Sequence, residues 1–177
     1  NHILYKALLF MSMGSVLYMT GKRKLTEMGG LAKYMPVTCV ACIIASLSIA
    51  GAPGFNGYIS KGMVISSAAE QHMPVLELMM VLAAVGTFLS FVKLSYFTFF
   101  APNEEIRAKE SPKNMQLAML LTAFLCIFIG VYPEALFRVL PFYPVDYHPY
   151  TASHVLGTVQ LFLLAGAAFL VAKNMVA

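Results

Sequence analysis

Four ionisable residues lie where the sequence otherwise offers apolar neighbours: His2 and Lys6 in HILYKALLF, Lys61 in GYISKGMVI and Lys93 in FVKLSYF. An ionisable group inside a membrane span costs ~2.5–3.5 kcal/mol on insertion scales, so each calls for a reason. The chemistry open to lysine and histidine in such a setting is proton exchange. Lys6 follows His2 by four residues and shares its helix face, so an ammonium and an imidazole one turn apart could pass protons through cavity water. Lys61 is the stronger candidate, because it comes shortly after GAPGFNG, residues 51–57. Broken helices present free carbonyls and dipole ends of the kind that hold ions in secondary transporters. A lysine beside them is held charged by the carbonyls or made neutral by desolvation, which is the poise a proton carrier needs. Lys93 stands about nine residues before Pro102, or ~13 Å of helix rise, and is the fourth candidate for a relay. The competing reading of Lys6, Lys61 and Lys93 is that each marks a span end or extends its head to water along an apolar stem.

The elements that must position these groups are long and apolar. Of 177 residues, 59% are hydrophobic and 11% charged, against roughly 25% charged in soluble domains. The apolar runs reach about 17 to 27 residues, enough to cross a hydrocarbon core of ~30 Å. The predicted spans are Ile3 to Met19, Val75 to Phe100, Met115 to Leu140 and His154 to Ala172, with Gly130 and Pro133 bending or shortening the third. Between the first two, Pro36 opens an apolar helix to Ala50, and a second short helix runs from Tyr58 to Ala69. No regular helix survives the intervening Gly51, Pro53, Gly54 and Gly57. The fold class is therefore all-α, a polytopic transmembrane bundle with a discontinuous helix. Such a break is tolerated only where protein or cavity water satisfies the freed backbone groups, so Gly51 to Gly57 should be enclosed by neighbouring helices. The alternative is an ordinary surface loop joining two short crossings.

Loop charge bears on that choice. Lys22, Arg23, Lys24 and Lys33 lie in the loop at 20–35, and Arg107, Lys109 and Lys113 follow the Val75 to Phe100 span, whereas 71–74 and 141–153 carry no Lys or Arg. The positive-inside rule puts both basic loops on one side, which requires the interrupted region to cross once in total. Segment 141–150, PFYPVDYHPY, reads as an interfacial loop with Tyr143, Tyr147 and Tyr150 at headgroup level. Glu77 and Arg138 read as anchors or interhelical ion pairs. The net charge of +4 is scattered and forms no stripe for nucleic acid. Cys39, Cys42 and Cys126 sit in apolar runs as ordinary buried thiols, with no metal-ligand or disulfide pattern. No haem, flavin or iron–sulfur motif is present, so no cofactor is expected.

Three strings in order, HILYKALLFMSMGSVLY, LTEMGGLAKYMPVT and ASLSIAGAPGFNGYISKGMVI, resemble the second half of the antiporter-like proton-channel subunits. These include the D-type subunits of Mrp cation/proton antiporters and the related membrane-arm subunits of respiratory complex I. The resemblance is concentrated in residues 1 to 65 and weaker to about 140. It implies two inverted helical repeats, of which residues 1–177 would form the C-terminal portion of a single transporter domain. It also implies a relay in which Lys6, Lys61 and His2 match relay residues. One departure is Gly62, where many relatives of the complex I type carry an acid; this favours an Mrp-like or hydrogenase-associated relative. The apolar start without an initiator Met predicts that the chain continues upstream. The resemblance further implies partner subunits in a larger complex, a bacterial plasma membrane, and protons with sodium as the ions moved. A redox-driven complex is the alternative.

Overall fold

The computed structural model describes every residue except 104–105, 141–146 and 177. The described residues form helices and loops without strands. Helix α1, His2–Thr20, ends at Gly21, whose left-handed φ of 69° lets its N–H cap the Leu17 carbonyl. Two 3-10 turns, Leu25–Glu27 and Leu31–Lys33, lead to α2, Pro36–Ala50, with proline at its first turn. Helix α3 covers Asn56–Glu70 and α4 covers Pro74–Ser95, continued by a π-helical turn at Tyr96–Phe100. Then come α5, Lys113–Val131, the single turn α6, Glu134–Phe137, and α7, Ala152–Val176. The interruption after Val131 has a local cause, since Pro133 cannot continue the amide ladder of α5.

Four helices are long and apolar enough to cross a membrane: His2–Thr20, Pro74–Phe100, Lys113–Val131 and Ala152–Val171. Helix α2, at 15 residues, reaches only ~22 Å and falls short of a bilayer core alone. A crossing there would need α2 and α3 together. Asn103 Nδ2 donates to the Met28 carbonyl at 3.5 Å, and Thr38 bonds Glu110, so the two basic loops meet at one end of the bundle, the arrangement a single crossing would require.

The main core lies where α1, α2 and α5 pack. Leu8, Val16, Cys42, Met119 and Cys126 are fully buried there. Small hydroxyl residues let these helices approach, as Ser12, Ser15, Thr38 and Ser48 are all fully buried. Ser46 and Ser95 share a hydrogen bond of 3.1 Å between α2 and α4. Helix α7 covers α4 through a stacked Phe88–Phe162 pair with centroids 4.4 Å apart.

Three expectations are corrected or narrowed. Helix resumes at Asn56, so the non-helical stretch is 51–55 and Asn56 and Gly57 are already in α3. Glu134 and Arg138 pair at 3.5 Å within one helical turn, so among the described residues the ion pair of Arg138 is local, which leaves it the anchor of the two alternatives rather than the interhelical partner. Tyr147 and Tyr150, read as residues of an interfacial loop, also pack against the bundle. Because α5 stops early, the following chain folds back against α3, where Tyr58 Oη donates to the Pro149 carbonyl at 3.0 Å and Tyr150 Oη to that of Gly130. Tyr143 lies outside the described residues.

Candidate functional site

The last turn of α2 closes on Gly51, whose φ of 87° is the left-handed conformation glycine tolerates best. The Gly51 and Ala52 N–H groups both return to the Leu47 carbonyl, at 3.1 and 2.9 Å. That leaves the final carbonyls of α2 to find other donors. Lys61 Nζ supplies one, reaching back from α3 to the Ala50 carbonyl at 3.4 Å. Its stem lies along Gly51, where a Cβ would stand 3.1 Å from Lys61 Cδ. A cation at the negative end of a helix dipole is electrostatically favoured there.

Close backbone packing holds the break in place. A Cβ on Gly57 would collide with the Ser48 carbonyl, and one on Gly130 with the backbone of Gly54 and Phe55. Helix α3 thus meets α2, and α5 meets the break, backbone against backbone. Gly51, Ala52, Asn56 and Gly57 are buried, and Pro53, Gly54 and Phe55 are half-buried. By the measure of α4 the break lies well inside the bundle. Gly51 and Lys61 share a cavity of about 80 Å³ with Val81 and Ala84 of α4 and Thr158 of α7. Val81 stands ~10 Å of helix rise beyond the start of α4. By the measure of α5 the same break lies level with its last residues.

Lys61 also faces a larger cavity of about 430 Å³, together with His2, Tyr5, Ser60 and Thr87. His2 is exposed at this cavity, with Nδ1 3.2 Å from Tyr5 Oη. The structure thus brings His2 and Lys61 to one cavity. Lys6 is not among the residues lining it. The Lys6 ammonium lies 5.8 Å from the centroid of the Phe91 ring on α4, a weak cation–π contact. Lys93 is exposed on α4 and lines neither cavity.

Residue types alone did not point to Asn56. It is fully buried at the first turn of α3, and neither atom of its amide has a partner among the described residues; the Ser48 hydroxyl is in the same condition. Unpaired polar atoms in such a setting cost on the order of 1–3 kcal/mol each and mark where water or a moving proton would be stabilised. Glu110 was also missed. Its carboxylate accepts from Thr38 Oγ1 at 2.6 Å, Val37 N at 2.8 Å and Ser111 N at 2.9 Å, capping α2 from the linker. Burial pushes this carboxyl up, but the bonds from Thr38, Ser111 and Val37 outweigh it and hold it below the usual carboxylate value.

Broken helices recur at the ion sites of membrane transporters, and the chain is similar to membrane proteins of one family. The family described as NADH:quinone oxidoreductase/Mrp antiporter, TM, matches residues 1–90, and the chain belongs to it. An uncharacterised protein of Methanocaldococcus jannaschii is 34% identical over 139 residues, 76% of this chain and 29% of the relative. Hydrogenase-4 component B of Escherichia coli is 33% identical over 74% of this chain and 21% of its own length. The Na(+)/H(+) antiporter subunit A1 of Staphylococcus haemolyticus is 33% identical over 77% and 19%. The chain therefore spans less than a third of these relatives. Among solved structures, the membrane-bound sulfane sulfur reductase, an archaeal respiratory membrane complex, matches with a TM-score of 0.73 at 25% identity, over 96% of this chain and 30% of that one.

Proposed function

We propose that the full-length protein is a proton-translocating subunit of a multisubunit cation/proton antiporter, with residues 1–177 forming the C-terminal portion of its transporter domain. One observation carries the reading: the Lys61 ammonium rests on the Ala50 carbonyl at the end of α2, with a cavity on either side. The carbonyl and the helix dipole favour the charged lysine, and the apolar surroundings favour the neutral amine. With these opposed, a small change in nearby charge is enough to load or release the proton. His2 exchanges protons with Lys61 through water in the shared cavity. Lys6 sits one turn along α1 and adds positive charge that biases Lys61 toward release. Lys93 belongs to the same set of intramembrane lysines as a peripheral member. The partners are other membrane subunits and the lipid bilayer of a bacterial plasma membrane, with sodium as the counter-ion; neither a redox group nor nucleic acid enters the scheme.

The test is proton flux in inverted vesicles carrying the full complex. Lys61→Ala should lower flux by at least about tenfold with assembly unchanged. Wild-type flux in that variant would reduce Lys61 to a helix cap. A second reading, a subunit driven by redox chemistry on partner proteins, is favoured by the 96% coverage against the archaeal respiratory complex and by the kinship with a hydrogenase component. Flux that follows a sodium gradient without any electron donor supports the antiporter. Flux that requires a donor supports the second reading.

A further inference from the structure

Helix α7 has an inward stripe that is apolar except at one position. Val155, Thr158, Phe162, Ala165 and Phe169 recur at spacings of three and four and are buried or half-buried, whereas Leu156, Leu163 and Leu164 on the far side are exposed. Phe162 stacks on Phe88 with centroids 4.4 Å apart, and Phe169 meets Tyr96 edge-on at 6.0 Å, which fixes the stripe against α4 and its π-helical turn. One turn before Phe162, Thr158 lines the cavity of about 80 Å³ that Lys61 also lines. The hydrogen bonds already made on that wall decide what else it can hold. Thr158 Oγ1 donates to the His154 carbonyl at 2.9 Å, so its hydrogen is committed and its oxygen is left as an acceptor. The Lys61 ammonium has three hydrogens and gives one to the Ala50 carbonyl at 3.4 Å. The cavity therefore has a surplus donor on α3 and a surplus acceptor on α7, in a space otherwise lined largely by apolar groups such as Ile65, Val85 and Leu161. That is a setting for water, which occupies ~30 Å³ in the liquid and needs two or more polar partners to stay in an interior.

We propose that Thr158 is a positioning residue for Lys61, its hydroxyl oxygen and the ammonium holding an ordered water between α7 and α3 in the smaller cavity. The proposal rests on the relay reading of Lys61. The water accepts a hydrogen bond from the ammonium and donates one to Thr158 Oγ1. It keeps Lys61 hydrated on the side facing α4 and α7, while the larger cavity with His2 serves the other side. Without the acceptor on α7 the water loses a partner it needs, and the ammonium meets apolar surface on that side, which disfavours the charged form. Helix α7, most of whose surface faces away from the bundle, then belongs to the site and does more than pack against α4.

Proton flux in vesicles carrying the full-length protein in its complex sets the hydroxyl against the packing. Thr158→Val keeps the branching and size and removes the acceptor; flux should fall about threefold to tenfold with assembly unchanged. Thr158→Ser keeps the acceptor and drops the methyl, and should stay within about twofold of wild type. A purely packing threonine predicts the reverse order. Wild-type flux in Thr158→Val, or a Ser variant as slow as Val or slower, would overturn the assignment. Thr122 on α5 makes the same kind of bond, to the Ala118 carbonyl at 2.8 Å, and lines neither cavity. Thr122→Val should therefore leave flux unchanged; a loss equal to that of Thr158→Val would assign the effect to the intrahelical bond and overturn the water site. Should Thr158→Val fail to assemble, Thr158→Ala decides: flux well below that of Thr158→Ser supports the site, and equal flux overturns it. Lys61→Ala in the same vesicles separates the two failures. If it lowers flux about tenfold while Thr158→Val matches wild type, only the role of Thr158 falls; if it leaves flux intact, the relay reading falls with it.

Discussion

The two ends of α2 are capped by opposite charges in opposite manners. At its start, Glu110 accepts three bonds of 2.6 to 2.9 Å from Thr38, Val37 and Ser111, and the adjacent basic loops close over the same end of the bundle. At its end, Lys61 makes one bond of 3.4 Å, beside two cavities and the unpaired amide of Asn56. Both charges suit the helix dipole. The difference lies in how completely each is satisfied. A fully bonded carboxylate is fixed in one state, whereas a singly bonded lysine beside room for water can change state. The first end anchors the helix, and the second is where the proposed relay would exchange its proton.

The largest expected effect breaks the comparison at the lysine end. Lys61→Arg keeps a cation at the carbonyls of α2 yet stays charged at working pH, so it should lower proton flux nearly as far as Lys61→Ala, by about tenfold or more, while the complex assembles. Flux near wild type in the Arg variant would mean that the charge, and not its release, is what this end of α2 needs. The backbone contact behind it comes next. Gly130→Val would drive a branched side chain into Gly54 and Phe55, displacing the break at a cost of about 1–3 kcal/mol. Lower thermal stability of the complex, with a parallel fall in flux, is the expected result.

Much of this was legible from residue types. The apolar helices and the break after Ala50 follow from apolar length and from glycine and proline between 51 and 57, and loop charge anticipated that the two basic loops share one end of the bundle. Lys61 could be singled out because an ammonium so close to a helix break has few other reasons to be there. The partners of these groups were not legible. Glu110 lies in a linker of mixed charge that looks fully solvated, and its contact with Thr38 joins residues 72 positions apart. Tyr147 and Tyr150 carry the composition of an interfacial loop, and only the early stop of α5 turns them back onto α3. The same contact gives Gly62 a steric role, since the space a side chain would take is filled by the Tyr147 hydroxyl. Local composition names the apolar elements well but carries little information about which polar side chains meet across long sequence separations.

At the carboxylate end the expected effect is on stability. Glu110→Ala removes the cap of α2 and should cost about 1–2 kcal/mol, read as a lower unfolding temperature of the detergent-solubilised protein, with little change in flux per assembled complex. The folded carboxyl sits below its ordinary value of 4.5. Its contribution is therefore fully present above that pH and is lost as the pH falls through the lower, folded value. The wild type should lose stability on acidification below about pH 4.5 more steeply than Glu110→Ala, whose profile lacks this group. Equal slopes would show that the capping bonds are not what sets this end of α2 apart.

The smallest effect belongs to Lys93, which sharpens the comparison because it is an intramembrane lysine without a helix break. It lies on the exposed side of α4, two residues past Phe91, and lines neither of the cavities that meet at Lys61. Its stem can carry the ammonium toward the end of the span, a pose that costs little and transfers nothing. Lys93→Ala should change flux by less than about twofold, and Lys93→Arg, which preserves the extended cation, should be indistinguishable from wild type. Both are measured in the vesicles used for Lys61, normalised to assembled complex. Should Lys93→Ala and Lys93→Arg instead match the loss seen with Lys61, an ammonium that lines neither cavity would be carrying protons equally well. The free end of a helix would then not be what makes an intramembrane lysine a proton carrier in this protein.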